Sequence, residues 1–151
     1  MLQVVNAMPA ERRETLLARF AAAEAAIEAA GLKDRQGRSD RELSTTYFAM
    51  GVPCPFLEDE SCSIHPERPL VCREYLVTSP AALCAGPTQE GVTPVAVPKV
   101  SLAARELQED GDDWFPLATL MAWARTRPRK VTRRTGPEWV QRFLKRLSAS
   151  R

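Results

Sequence analysis

The sequence predicts a mainly α fold, a small irregular helical domain broken in its middle by a proline-rich cysteine loop. Three observations predict it. Leu16, Phe20, Ala23, Ile27 and Ala30 recur at three-and-four spacing, the period of one helix face. Most of the 12 prolines and all 4 cysteines fall between Pro53 and Pro98, where missing backbone donors keep regular elements short. Helical patterning then returns towards the C-terminus. At 151 residues the chain suits one domain over 1–151, made of an N-terminal helix (1–31), the Cys/Pro-rich loop (53–98) and C-terminal helices with a basic tail (100–151). Hydrophobic residues at 44% and charged residues at 26% are ordinary for a globular chain and exclude global disorder or a fibrous repeat.

The elements follow in order. Pro9 and Glu11 suit a first helical turn, and Gly31 is a good C-terminal stop. Residues 32–42 are polar and charged and read as an exposed connection, followed by a short helical segment ending at Gly51. After the loop, Val100 to Gln108 is weakly helical. Leu117, Leu120, Met121 and Trp123 mark a helix that Pro128 stops, and Pro137 starts a last helix carrying Trp139, Val140, Phe143, Leu144 and Leu147.

Charge is distributed unevenly. Residues 1–124 carry 11 Lys+Arg against 18 Asp+Glu, whereas 125–151 carry 10 against the single acid Glu138. Arg125, Arg127, Arg129, Lys130, Arg133 and Arg134 are therefore candidate polyanion contacts, with nucleic acid as one candidate partner; a solvated tail has the same composition. No apolar run approaches the roughly 18 residues of a membrane span, because Glu24 and Glu28 interrupt the alanine-rich stretch. No membrane partner is expected. The N-terminal MLQVVNAMPAERR lacks the architecture of a secretory signal, so a reducing, bacterial-type cytoplasmic compartment is expected.

The cysteines are the informative feature. Cys54, Cys62, Cys72 and Cys84 lie in one short window with the spacing C-x7-C-x9-C-x11-C. Four thiolates converging on one point satisfy tetrahedral zinc or the corners of an iron–sulfur cluster, and ligand bonds would replace the missing secondary structure. Two disulfides, disfavoured in a reducing compartment, and four unrelated buried thiols remain alternatives, because no C-x2-C knuckle is present.

The residues around the cysteines add a second argument. Cys54-Pro55-Phe56-Leu57, then Cys62-Ser63-Ile64, Arg68-Pro69-Leu70, Cys72-Arg73 with Tyr75, and finally Ser79 and Cys84 resemble the YkgJ family of cysteine-cluster proteins, described as a zinc- or iron-chelating domain. Trp114-Phe115-Pro116-Leu117 is more weakly similar. The resemblance implies that Cys54, Cys62, Cys72 and Cys84 are the metal-binding positions and that the cofactor is zinc or an iron–sulfur cluster. It also implies a dense C-x2-C-x2-C-C run ahead of this block, which the chain lacks before Cys54. Either the four-cysteine set is complete and the site is a smaller one, or an upstream cysteine cluster lies beyond Met1 in the natural chain; the apolar Met1-Leu2-Gln3-Val4-Val5, close before the helix starting at Pro9, favours the second.

Four thiolates on a doubly positive centre leave a charge of about −2, which Arg68 and Arg73 can offset unless Glu67 and Glu74 pair with them. Backbone N–H groups after Cys54-Pro55 and near Ala85-Gly86-Pro87 are candidate donors to sulfur. Tyr75, Phe56 and Leu57 read as a small apolar core under the site. His65, the sole histidine, reads as a packing or surface residue rather than a ligand. One histidine excludes multi-imidazole metal hydrolases, and no G-x-G occurs, which removes the usual dinucleotide and P-loop fingerprints. The expected function is metal binding, structural or in zinc or iron handling, with a protein partner as a further candidate; a redox or catalytic iron–sulfur component of a modification enzyme system is the alternative.

Overall fold

The computed structural model describes residues 1–34, 37–59, 61–79, 93–97, 99–105, 107, 115–126 and 135–149. Among them the fold is mainly α, with helices α1 (Leu2–Asn6), α2 (Ala10–Ala29), α3 (Asp40–Ala49), α4 (Leu70–Glu74), α5 (Val100–Arg105), α6 (Leu120–Thr126) and α7 (Gly136–Ala149). The only sheet among these residues is a hairpin of β1 (Leu57–Glu58) and β2 (Ser61–Cys62).

Helix α2 is the spine. Alanine, the best helix former, fills much of its second half, and its apolar stripe is buried at Leu16, Phe20, Ala23 and Ile27. Its end is a Schellman motif: Gly31, at φ +66°, donates to the Glu28 carbonyl (2.9 Å) and Leu32 to that of Ile27 (3.1 Å). Leu32 then packs back on the cluster of Ala23, Ile27 and Ala118. A larger cluster joins Val5, Leu16, Phe20, Phe56, Ile64 and Leu120. Helix α1, the cysteine hairpin and α6 are thus all packed on one spine.

Two elements differ from the sequence expectation. The N-terminal helix expected over 1–31 is two helices, α1 being a separate one before Pro9 that brings Val5 into the core at 2% exposure. Helix α3 begins inside the stretch read as an exposed connection, because Ser39 and Glu42 form a capping box. Glu42 N–H donates to Ser39 Oγ (3.3 Å) and Ser39 N–H to Glu42 Oε2 (2.7 Å).

Hydrogen bonds from the Ser39 side chain and backbone hold the Glu42 carboxyl below its ordinary value of 4.5. A depressed folded-state pKa adds stability that is present above the ordinary value and is lost as pH falls through the folded value. Ser39→Ala is expected to cost about 1 kcal/mol in urea unfolding. The native chain should show a rise in hydrogen exchange of α3 on acidification, and Ser39→Ala should remove it.

The C-terminal helices form in the expected places. Leu117–Thr119 is a 3₁₀ turn that leads into α6. Helix α7 opens with a second capping box, in which Thr135 N–H donates to Glu138 Oε2 at 2.8 Å and Glu138 N–H donates to Thr135 Oγ at 3.4 Å.

Candidate metal centre

Each of the three described cysteines is delivered by a different local device. Cys54 starts a proline turn: with Pro55 second, the Leu57 amide donates to the Cys54 carbonyl at 2.9 Å. The hairpin then reverses the chain at Asp59, which accepts φ +47°, and the register sets Cys62 opposite Leu57. A 3₁₀ turn at His65–Glu67 and the helix-starting Pro69 carry the chain into α4, which bears Cys72. Cys54, Cys62 and Cys72 are free thiols.

Electrostatics show that these three sulfurs share a neighbourhood. Desolvation, then the charges of Cys54 and Cys62, push the Cys72 thiol up, and the Arg68 guanidinium opposes them. Desolvation pushes Cys54 up too, a backbone hydrogen bond from Phe56 pulls it down, and Cys62 adds to the rise. Tyr47 on α3 is raised by its burial and by Cys54. Among the described residues no group of three His, Cys, Asp or Glu side chains stands in metal-holding geometry. Cys84 lies outside the described residues, as do Ala85, Gly86 and Pro87.

The supporting residues divide clearly. The Arg68 charge acts on Cys72. Arg73 does not: its Nε donates to the Arg68 carbonyl at 2.9 Å and its Nη2 to the Pro66 carbonyl, so it ties the 3₁₀ turn to α4. Phe56 is fully buried at 0% exposure, whereas Leu57 at 47% and Tyr75 at 60% face outward. The apolar core expected under the site therefore contains Phe56 without the other two. Hairpin alternation turns Leu57 away from Phe56, and Tyr75 follows the end of α4, where the backbone leaves helical geometry at φ −87°, ψ 85°. His65 is exposed, a surface residue as the sequence indicates. Of the basic candidates, Arg125 is bound to Glu24 at 2.7 Å, and Arg127, Arg129, Lys130, Arg133 and Arg134 lie outside the described residues.

Three positioning residues escaped sequence reading. Arg12 and Arg19, two turns apart on α2, both grip the hairpin. They pair with Glu58 at 3.4 and 3.2 Å, and Arg19 also donates to the Pro55 and Leu57 carbonyls. Their spacing on the face beside Leu16 and Phe20 was a signal, but the partner is 39 residues from Arg19. Behind the loop, Glu74 is buried at 8% exposure. Its Oε1 accepts from the Ser101 amide at 2.8 Å and its Oε2 from the Ser101 hydroxyl at 2.5 Å, so it caps α5 from α4 instead of pairing with Arg73. Lys99 Nζ adds a bond to the Glu74 carbonyl at 3.2 Å. Glu74→Ala would strand the two Ser101 donors and leave the Lys99 bond to the backbone carbonyl in place. It is expected to lower stability by about 1–3 kcal/mol, read from the urea midpoint.

Residues 76–78 and 93–95 are also joined. Thr78 N–H donates to Thr93 O at 3.0 Å and Val95 N–H to Leu76 O at 2.8 Å, which makes a short stem.

Comparison with known proteins gives one finding. The model of the CxxCxxCC family, described as "Putative zinc- or iron-chelating domain", matches residues 14–95, from within α2 to the end of the stem. No curated protein and no solved structure matches the chain.

Proposed function

The chain belongs to the CxxCxxCC family, and from that premise we propose that Cys54, Cys62, Cys72 and Cys84 together hold one zinc or iron centre that is structural or serves metal handling. The observation that carries this reading is the family match over residues 14–95, which takes in all four cysteines; Cys54 and Cys72 line one cleft, and the charges of Cys54 and Cys62 act on Cys72. Thiolates suit soft or borderline metals, and a cation among them removes their mutual repulsion. Arg68 would offset the charge that remains, and the Phe56 amide would donate to the Cys54 sulfur as it does without metal.

Cys84 completes the set in this reading. It is five residues past Ser79, whose Oγ accepts from the Thr93 amide at 3.2 Å, and five extended residues span up to about 17 Å. A complete set of four thiolates leaves no open coordination position, which favours a structural or storage role over catalysis. A redox iron–sulfur centre is the second reading, since four cysteines equally suit a cluster.

Metal analysis with an absorption spectrum on anaerobically purified protein tests both. Colourless protein with stoichiometric zinc supports the first. Brown protein with iron and labile sulfide supports the second, and metal-free protein overturns both.

A further inference from the structure

We propose that helix α7 lies on an anionic lipid surface, with Val140 and Leu144 dipping into the headgroup layer and Lys145 and Arg146 beside them meeting lipid phosphates. Along the 14 residues of α7, Trp139, Val140, Phe143 and Leu144 fall at three-and-four spacing on one side, and Gln141, Lys145 and Ser148 take the other. The fold uses only part of the apolar side. Helix α7 packs against α5, and Trp139 and Phe143 are half-buried, while Val140 and Leu144 stand 57% and 55% exposed. One turn apart, these two form an apolar row that folding leaves in water at a cost in free energy. Leu102 of α5 is exposed as well.

Charge indicates what covers that row. Helix α7 itself carries Arg142, Lys145 and Arg146 against Glu138, a balance of +2, within a segment, 125–151, that has 10 Lys+Arg against that one acid. Glu138 is held at the start of the helix, where it accepts from the Thr135 amide at 2.8 Å. Towards the other end, Lys145 and Arg146 are exposed and leave the helix on opposite flanks of the Val140–Leu144 row. Both side chains are long enough to keep their charge among headgroups while the apolar row sinks below them. A surface-lying helix takes its affinity from these two contributions together, apolar burial and attraction to anionic lipid. Nucleic acid would use the charges and leave Val140 and Leu144 in water. A groove on a partner protein would have to enclose a helix whose other side already meets α5, whereas a bilayer presents a flat face. A second copy would bring two strongly basic segments together. No helix among the described residues is long and apolar enough to cross a membrane, but a helix lying on its surface needs no such length, so the lack of a span does not bear on this mode.

Flotation of the full chain with vesicles tests the proposal, using phosphatidylcholine alone and phosphatidylcholine mixed with phosphatidylglycerol, each at low and at high salt. The mixed vesicles are expected to bind about tenfold or more tightly than the neutral ones, and salt should weaken the binding. Val140→Ser combined with Leu144→Ser should weaken it by about tenfold or more at unchanged circular dichroism, because both positions are exposed. Lys145→Gln should weaken it about fivefold. Equal binding to the two kinds of vesicle, no binding to either, or undiminished binding by the double variant and by Lys145→Gln overturns the proposal. Binding to duplex DNA without binding to vesicles would overturn it in favour of nucleic acid. A dimer in sedimentation velocity that the double variant dissociates, with no vesicle binding, would overturn it in favour of a second copy. None of these readouts depends on the metal centre, so the two readings fail separately.

Discussion

Phe56→Ala is expected to remove about 3–5 kcal/mol of folding free energy and to detach the cysteine hairpin from α2. Phe56 and Phe20 are exposed to 0% and 1%, and their rings meet edge to face at 5.4 Å. Phe56 also belongs to the cluster that joins Val5, Leu16, Ile64 and Leu120. Truncation would therefore leave a cavity where α1, α2, the hairpin and α6 meet, with few neighbours free to collapse into it. For a domain of total stability about 5–15 kcal/mol, this is a large share. Leu57→Ala is the internal control. At 47% exposure it should change stability by no more than about 0.5 kcal/mol. Paired urea unfolding curves check both. Equal midpoints for the two variants would mean that Phe56 does not anchor the hairpin.

Replacing any one of Cys54, Cys62, Cys72 or Cys84 by Ser should have the second large effect, loss of the metal together with loosening of residues 53–98. Binding free energy at a structural metal site of this kind is on the order of 10 kcal/mol and is coupled to folding. In this chain the coupling is confined by what holds each part. Helix α2 has its own apolar stripe and Schellman end. Among its described residues, the segment from Cys54 to Glu74 has only a hairpin of two-residue strands, one 3₁₀ turn and a five-residue helix. Limited proteolysis should then cut the loop in each variant and leave α2 protected. Native metal content and native protease resistance in all four variants would remove the metal reading.

The sequence made α2 legible because its signals are local: a periodic apolar stripe, an alanine-rich interior and Gly31 at the stop. The helix after Pro137 was legible for the same reason. The start of α3 was equally local, and the Ser39 to Glu42 spacing would have revealed it. Helix α1 was not legible, since five residues are too few for a periodic signal and their helicity rests on burying Val5. At the candidate site, the cysteine block and the basic residues beside it could be read from composition and spacing. The contacts of Arg12, Arg19 and Glu74 could not, because each joins residues far apart in the chain and only the folded arrangement selects the partner. Arg73 was misjudged for a related reason. Adjacency to a cysteine gives proximity along the chain, while the direction of its guanidinium is set by the free carbonyls of the turn before α4.

Sulfur coordination of the bound metal is the central claim, and X-ray absorption at the metal edge of the purified full-length chain measures it directly. The account predicts a first shell of four sulfur atoms at about 2.3 Å, falling to three sulfurs, with or without an oxygen, in whichever single Cys→Ser variant retains metal. A first shell made of nitrogen and oxygen, or an unchanged sulfur count in those variants, would contradict it.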